Sequence, residues 1–267
     1  MLQYKMRKIT ILSALLFGLL SAQSAHAQLG NIFKALKGDT TKAKTSSNTT
    51  NATAQPQPAS SEISSGIKEA LNNGLQQSIQ SLSKTDGFLG NQAVKILLPP
   101  QVQKAESALK AIGLGSVSDQ LITRMNRAAE AAVSEAAPVF VNALKALTVK
   151  DATNILLSGK EDAATTYFQT QTSEELTSKF KPIVVQNLEK LDVAKYWTDV
   201  ASGYNKIPLV KEKMETDLNS YVTQKAIEGL FHQVAEQELK IRNNLGGSRT
   251  TSLLQKVFGY ADKEGDK

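Results

Sequence analysis

Apolar residues recur at steps of three and four from Ile63 onward, which is the period of an amphipathic helix. The first such stripe is Ile63, Ile67, Ala70, Leu71, Leu75, Ile79 and Leu82. The pattern predicts helices near 63–83, 99–112, 117–134, 137–147, 150–158, 161–170, 173–191, 193–204, 216–243 and 249–258. KILLP at 95–99 is the main candidate for extended chain. The pattern therefore predicts an all-α fold, a single bundle-like domain of about ten helices.

Residues at the predicted helix ends agree with this fold. Four pairs have the spacing of a capping box, in which a hydroxyl and an acid satisfy the first free amides of a helix: Ser116 with Asp119, Thr148 with Asp151, Ser158 with Glu161, and Thr172 with Glu175. Glycines that adopt a left-handed conformation without strain follow periodic segments at 113, 159, 246 and 259. Pro138 and Pro182 are expected near helix starts or at kinks.

The first 27 residues have the pattern of a secretory signal peptide. Basic residues precede an apolar run from Ile9 to Leu20, and Ala25 and Ala27 follow at the spacing of a cleavage site. The apolar run is shorter than the roughly 20 residues that cross a bilayer. We therefore expect cleavage after Ala27, export to the periplasm or the medium, and no membrane span in the mature chain.

Residues 28–62 are predicted to form a disordered linker with a short amphipathic start. The start is LGNIFKALK at 29–37, whose short apolar face would bind a membrane only weakly. The remainder consists mainly of Thr, Ser, Asn, Ala, Gln and Pro, which bury too little surface to offset the entropy of ordering. The helical domain is predicted at 63–259 and a disordered tail at 260–267.

Charge and composition exclude several classes of protein. The chain has no cysteine, so it forms no disulfide and uses no thiol. The net charge of +6 includes three basic residues of the signal peptide, which leaves +3 on the mature chain. Lysines and acids are interspersed along the predicted helices, which is typical of solvated faces and not of a nucleic-acid interface. We expect no cofactor.

The loop DGFLGN after the first helix contains two candidate ligand groups, Asp86 and Asn91. A calcium loop needs several oxygen donors at alternate positions, and Asp86 is the only carboxylate here. A structural turn is the favoured interpretation, because Asp86 and Gly87 would stop the first helix and Gly90 with Asn91 would make a second turn.

Several segments resemble a known family. They include GIKEALNNGL, TDGFLGN, KILLP, GLGSVSDQLITRMNRAAEAA, GKEDAATTYFQ, KFKPIV, VTQKAIEGLFH and RTTSLLQKVFG, in this order from about Ser61 to Gly259. Together they resemble DUF4197, a bacterial family of exported helical proteins of unknown function. The resemblance implies a helical envelope domain and brings no activity, cofactor or catalytic residue with it.

Three further polar residues are candidates for a site. His232 is the only histidine of the predicted mature chain and lies one helical turn from Glu228 and Glu236. One imidazole with carboxylates is a poor zinc set, so no metal site is predicted. Arg124 and Arg127 could clamp a phosphate or a carboxylate, although a surface ion pair with Glu130 is the simpler interpretation.

No catalytic residue is predicted, since the chain has no G-x-S-x-G motif and contains a single tryptophan, Trp197. The leading hypothesis is a non-enzymatic exported envelope protein that binds a partner protein or a lipid-like apolar ligand between helices. The alternative is a hydrolase that uses carboxylates from different helices, with Asp86, Asp151, Asp162 and His232 as its least implausible polar groups. The hydrolase requires at least two of these groups to converge.

Overall fold

The computed structural model describes residues 57–207 and 217–265. Over these residues the chain forms ten α-helices and no strand, so the predicted all-α fold is confirmed. The helices are α1 (Ser60–Leu82), α2 (Pro100–Lys104), α3 (Glu106–Ala111), α4 (Gly115–Val133), α5 (Ala136–Ala146), α6 (Val149–Leu157), α7 (Ala163–Lys190), α8 (Val193–Asn205), α9 (Leu218–Arg242) and α10 (Ser252–Gly265). The predicted signal peptide and most of the predicted linker lie outside the described residues.

The long helix α9 is the centre of the packing. It contacts α7, α1 and α4, while α7 also contacts α4 and α5. Helix α8 packs against α4 and α7, and α6 and α10 pack against α1. The ring of Phe140 on α5 meets Phe168 of α7 and Phe231 of α9 edge-on, each at 6.0 Å between ring centres. These three rings join the core of α5, α7 and α9.

The predicted helix boundary at Thr172 is wrong. The helices expected at 161–170 and 173–191 are a single helix, α7, which runs through Thr172. Thr172 is buried, and its hydroxyl donates to the carbonyl of Phe168 at 2.7 Å instead of capping a new helix. Burial on the face shared with Phe168 and Leu176 therefore overrides the local capping signal. Pro182 lies inside the same helix.

Of the other three predicted capping boxes, one is confirmed and two are wrong. Thr148 and Asp151 form the predicted box, with the Asp151 amide donating to the Thr148 hydroxyl at 3.1 Å. Ser158 instead ends α6, and the next helix starts later, at Ala163. Helix α4 begins at Gly115 without a side-chain cap, so the predicted role of Ser116 is also wrong.

Of the four glycines predicted to adopt the left-handed conformation at helix ends, three are confirmed. Gly113, Gly159 and Gly246 have φ of 84°, 68° and 63°, the left-handed conformation predicted for them. Gly259 lies within α10 and ends no helix. The predicted tail at 260–267 is therefore helical as far as Gly265. The predicted helix at 99–112 is interrupted at Ala105 and forms the short helices α2 and α3.

Candidate functional site

The DGFLGN loop is fixed to α4 by the buried carboxylate of Glu130. Its Oε1 accepts from the backbone amides of Phe88 and Leu89, at 3.1 and 3.2 Å. Its Oε2 accepts from Arg127 at 2.7 Å, and Arg127 also donates to Asp86 at 2.7 Å. The bond to Glu130 raises the pKa of Arg127. Two carboxylates thus neutralise Arg127, which leaves little positive potential for an anion.

The rest of the loop is also engaged in structure. The Oδ1 atom of Asn91 accepts from the Ala93 amide at 3.1 Å, and its amide nitrogen donates to Gln233 on α9 at 3.4 Å. The ring of Phe88 is fully buried. It packs so closely against Gly229 on α9 that a Cβ atom on this glycine would lie 2.6 Å from the ring. The structure therefore places Asp86, Asn91 and Arg127 around one loop that bridges α4 and α9.

Arg124 lies apart from Arg127 and faces α7 and α8. It donates to the carbonyl of Leu191 at the end of α7 and to the hydroxyl of Tyr196 at 2.8 Å. Its guanidinium also lies 4.2 Å from the centre of the Tyr196 ring. Arg124 and Arg127, the two candidates for clamping one anion, therefore bind different parts of the fold.

His232 lies on the exposed side of α9. Its Nδ1 is 3.8 Å from Oε1 of Glu236. It lines a groove of about 360 Å³ between α9 and the segment 93–97, together with Lys95, Tyr221 and Lys225. In the described part of the chain, no three His, Asp or Glu side chains lie together as metal ligands would.

The polar groups of the alternative hydrolase lie on different elements. Asp86 is in the loop after α1 and Asp162 directly precedes α7. Asp151 caps α6, where bonds from the side chain and amide of Thr148 lower its pKa. His232 lines its groove with none of these three aspartates.

Sequence reasoning missed a buried charge cluster around Glu238. Glu238 on α9 accepts from the amides of Ala164 and Thr165 at 2.9 and 2.8 Å, which are free donors at the start of α7. Arg242 bonds Glu238 at 2.9 Å and donates to the carbonyl of Ile155 near the end of α6 at 2.8 Å. The signal was available, because Glu238 continues the apolar period of α9 after Leu230 and Val234.

Arg249 has a similar structural role. It is buried, donates to the carbonyls of Ile241 and Arg242 at the end of α9, and pairs with Asp262 on α10 at 2.6 Å. Arg124, Arg242 and Arg249 thus all donate to carbonyl groups at or near helix C-termini, which helical hydrogen bonding leaves unsatisfied.

A small void lies between α1 and α9. It measures about 20 Å³ and is lined mainly by apolar residues of α1 and α9, with Glu238 and Arg242 at one side. That volume accommodates about one water molecule.

A much larger groove of about 640 Å³ lies on the surface between α3 and α8. Its apolar lining is Ala108, Ala111, Ile112, Leu114 and Ile207, and its polar lining is Asp199, Ser202 and Lys206, with Gly203 between them. Ile112 is 54% exposed, the largest exposed fraction among the large apolar side chains of the described residues. Sequence reasoning missed this groove, because the two walls are far apart in the chain.

The sequence pattern of the family described as "Protein of unknown function (DUF4197)" matches residues 57–259. The chain belongs to the DUF4197 family. No curated protein and no solved structure gives a significant match to it. The match spans α1 to α9 and most of α10, so both walls of the groove and the DGFLGN loop belong to the DUF4197 domain. None of the described helices of this DUF4197 chain has the length and apolar character needed to span a membrane.

Proposed function

We propose that the protein is a non-enzymatic, exported binding protein of the bacterial envelope that holds a partner protein in the groove between α3 and α8. The observation that carries the proposal is the groove itself, with its volume of about 640 Å³ and its exposed Ile112. An exposed apolar surface rimmed by polar groups marks sites of protein interaction, and a groove of this kind can receive the apolar face of a partner.

The position of the open space favours a surface partner over a ligand enclosed among the helices. The interior void is about 20 Å³, far below the roughly 300 Å³ at which ligand pockets begin. An apolar ligand inside the bundle would have to separate the packed helices. The groove accepts an apolar side chain without any such change.

The use of the charged residues supports binding over catalysis. Glu130, Glu238, Arg124 and Arg242 satisfy backbone groups of loops and helix ends. A hydrolase needs carboxylates that face a common space, and Asp86 is instead paired with Arg127. Export is supported by the signal-peptide pattern of residues 1–27 and by the absence of cysteine, which leaves no thiol to oxidise outside the cytoplasm.

Site-specific photocrosslinking tests the proposal. A photoreactive benzoyl-phenylalanine replaces the exposed Ser202 in the groove, and in a matched variant it replaces the exposed Asn154 on α6. Both variants are expressed in the cells that make the protein, and adducts are identified by mass spectrometry. We expect one defined protein adduct from position 202, absent from position 154.

A second substitution makes the result specific. Ile112→Asp places a charge on the apolar wall, and we expect it to remove the adduct at position 202 because a buried unpaired carboxylate is costly. Adducts of equal pattern at both positions, or no adduct at position 202, would contradict the proposal.

A further inference from the structure

The walls of the α3–α8 groove have the form of two helix faces without a third helix between them. Asp199, Ser202, Gly203 and Lys206 lie at steps of three, one and three along α8, so they share one face. Ala108 and Ala111 share a face of α3, and Ile112 follows directly at its C-terminal end. The space beside Gly203 is filled by Leu114, but the alanines and the serine on the two walls leave room for close approach of another helix.

Two residues of opposite charge, Asp199 and Lys206, mark the two ends of the groove along α8. Asp199 and Lys206 are both exposed and are seven residues apart. At 1.5 Å of rise per residue they stand about 10 Å apart along α8. An occupant therefore needs an apolar face about two helical turns long, with positive charge toward Asp199.

The chain itself contains a segment with these properties. In LGNIFKALK at 29–37, the apolar residues Leu29, Ile32, Phe33 and Leu36 stand at i, i+3, i+4 and i+7. If helical, that stripe extends about 10 Å, which equals the spacing of Asp199 and Lys206. Lys34 and Lys37 lie in the C-terminal half of the segment, and it contains no acidic residue.

We infer that residues 29–37 occupy the α3–α8 groove of their own chain as an amphipathic helix antiparallel to α8. In this orientation Lys37 lies toward Asp199, Leu29 lies toward Lys206, and Phe33 meets the middle of the groove near Ser202. The inference rests on the proposed function only in requiring that the groove accept an apolar helix face. The partner then binds by displacing this segment, so the segment lowers the partner's apparent affinity.

The connection is long enough for this contact. Residues 38–56, which number 19, separate Lys37 from Gln57. Gln57 is held at the domain surface by a bond from its side chain to the hydroxyl of Tyr260 at 3.1 Å. A flexible chain of that length spans about 25 Å on average, and a domain of this size has a radius of gyration of about 16 Å. Such a tether gives an effective concentration of about a millimolar.

Cysteine pairs test the contact directly, because the chain has no cysteine of its own. The predicted mature chain, Gln28 to Lys267, carries Phe33→Cys with Ser202→Cys, or Phe33→Cys with Asn154→Cys as the control. Under mild oxidation, we expect the 33–202 pair to form an intramolecular disulfide at least about tenfold faster than the 33–154 pair. Dilution series distinguish intramolecular from intermolecular bonds. Equal rates for the two pairs would overturn the inference.

Charge substitutions test the direction. Asp199→Lys is expected to slow the 33–202 disulfide because it repels Lys37, and Lys206→Glu is expected to change the rate less because uncharged Leu29 lies at that end. An effect of Lys206→Glu at least as large as that of Asp199→Lys would contradict the antiparallel orientation.

Failure of this inference is distinguishable from failure of the proposed function. A chain with Phe33→Ser and Leu36→Ser lacks the apolar face, so its partner adduct at position 202 should increase. An adduct at position 202 together with equal disulfide rates would remove only the inference. Binding of residues 29–37 to anionic phospholipid vesicles, without a selective disulfide, would likewise overturn the inference and assign the segment to the membrane.

Discussion

Glu238 accepts hydrogen bonds from both the backbone amide and the hydroxyl of Thr165, at 2.8 and 2.9 Å, across 73 positions of the chain. The carboxylate thereby completes the first turn of α7 from a residue near the end of α9. Arg242 lies on its other side, so the cluster connects the end of α6, the start of α7 and α9.

Glu238→Ala should reduce the free energy of unfolding by about 3–5 kcal/mol, because it leaves Arg242 and the α7 amides without their buried acceptor. Urea unfolding followed by circular dichroism measures the loss. Glu236→Ala is the matched control on the same helix, where the side chain is 42% exposed. We expect the control to change stability by less than about 0.5 kcal/mol. Equal losses would show that the cluster contributes nothing beyond the helix itself.

Glu130→Ala should release the DGFLGN loop from α4. Two backbone amides lose their acceptor, which costs about 1–3 kcal/mol. Hydrogen exchange at Phe88 and Leu89 should then become faster than exchange in the middle of α9. Asp86→Asn removes only the exposed pair with Arg127 and should cost less than about 1 kcal/mol, with slow exchange retained. Slow exchange in the Glu130 variant would refute this anchoring role.

Gly229→Ala should be destabilising even though alanine favours a helix. Its Cβ atom would lie 2.6 Å from the ring of Phe88 and 3.2 Å from Cβ of Val94. Overpacking of this kind costs about 1–3 kcal/mol. Gly259→Ala is the matched change within α10, where the added Cβ atom would meet no other part of the described structure within 4 Å, and it should stabilise by about 0.5–1 kcal/mol. Thermal unfolding of both variants measures whether each substitution lowers or raises the melting temperature.

Ile112 should contribute little to folding despite its size. It is 54% exposed at the C-terminal end of α3, whereas Leu109 within α3 is fully buried. Ile112→Ser should change the free energy of unfolding by less than about 0.5 kcal/mol, and Leu109→Ala should reduce it by about 2–5 kcal/mol. A large loss for Ile112→Ser would mean that this side chain serves the fold and not a partner.

The cap at Thr148 and Asp151 should give a pH-dependent contribution. Hydrogen bonds from the Thr148 hydroxyl and amide lower the pKa of Asp151 below its ordinary value of 3.8. A lowered folded-state pKa gives stability that is present above the unfolded pKa and is lost as the pH falls through the folded pKa. Asp151→Asn should therefore lower the urea midpoint at neutral pH and have no such effect well below pH 3.8. A difference that persists in acid would contradict the electrostatic origin.

The helical period predicted most of the fold, because burial of one face is encoded locally. Leu75, Ile79 and Leu82 lie in one turn-to-turn stripe, and all three are fully buried in α1. The apolar period did not show that α7 continues through Thr172. Thr172 and Glu175 have the local spacing of a capping box, whereas the burial of Thr172 depends on the helices packed against α7. Local signals fail where tertiary packing supplies the competing contact.

The candidate site was less accessible to sequence reasoning. Arg124 and Arg127 are three residues apart, yet one reaches Leu191 and the other Asp86. The α3–α8 groove pairs Ile112 with Lys206, which are distant in the chain. Neither relationship has a periodic signal, because both are set by how helices cross. The predicted ligand-binding roles of Asp86, Asn91, Arg124, Arg127 and His232 stay predictions.

The position of Glu238 also has a consequence for the order in which the protein is made. Helix α7 is translated long before its N-terminal cap, and the acceptors for its first amides arrive only when synthesis has passed residue 238. A ribosome-bound chain that stops short of this residue leaves Ala164 and Thr165 without this acceptor, so native α7 waits for α9. We therefore expect the domain to reach its native packing late in synthesis, after α9 has been made.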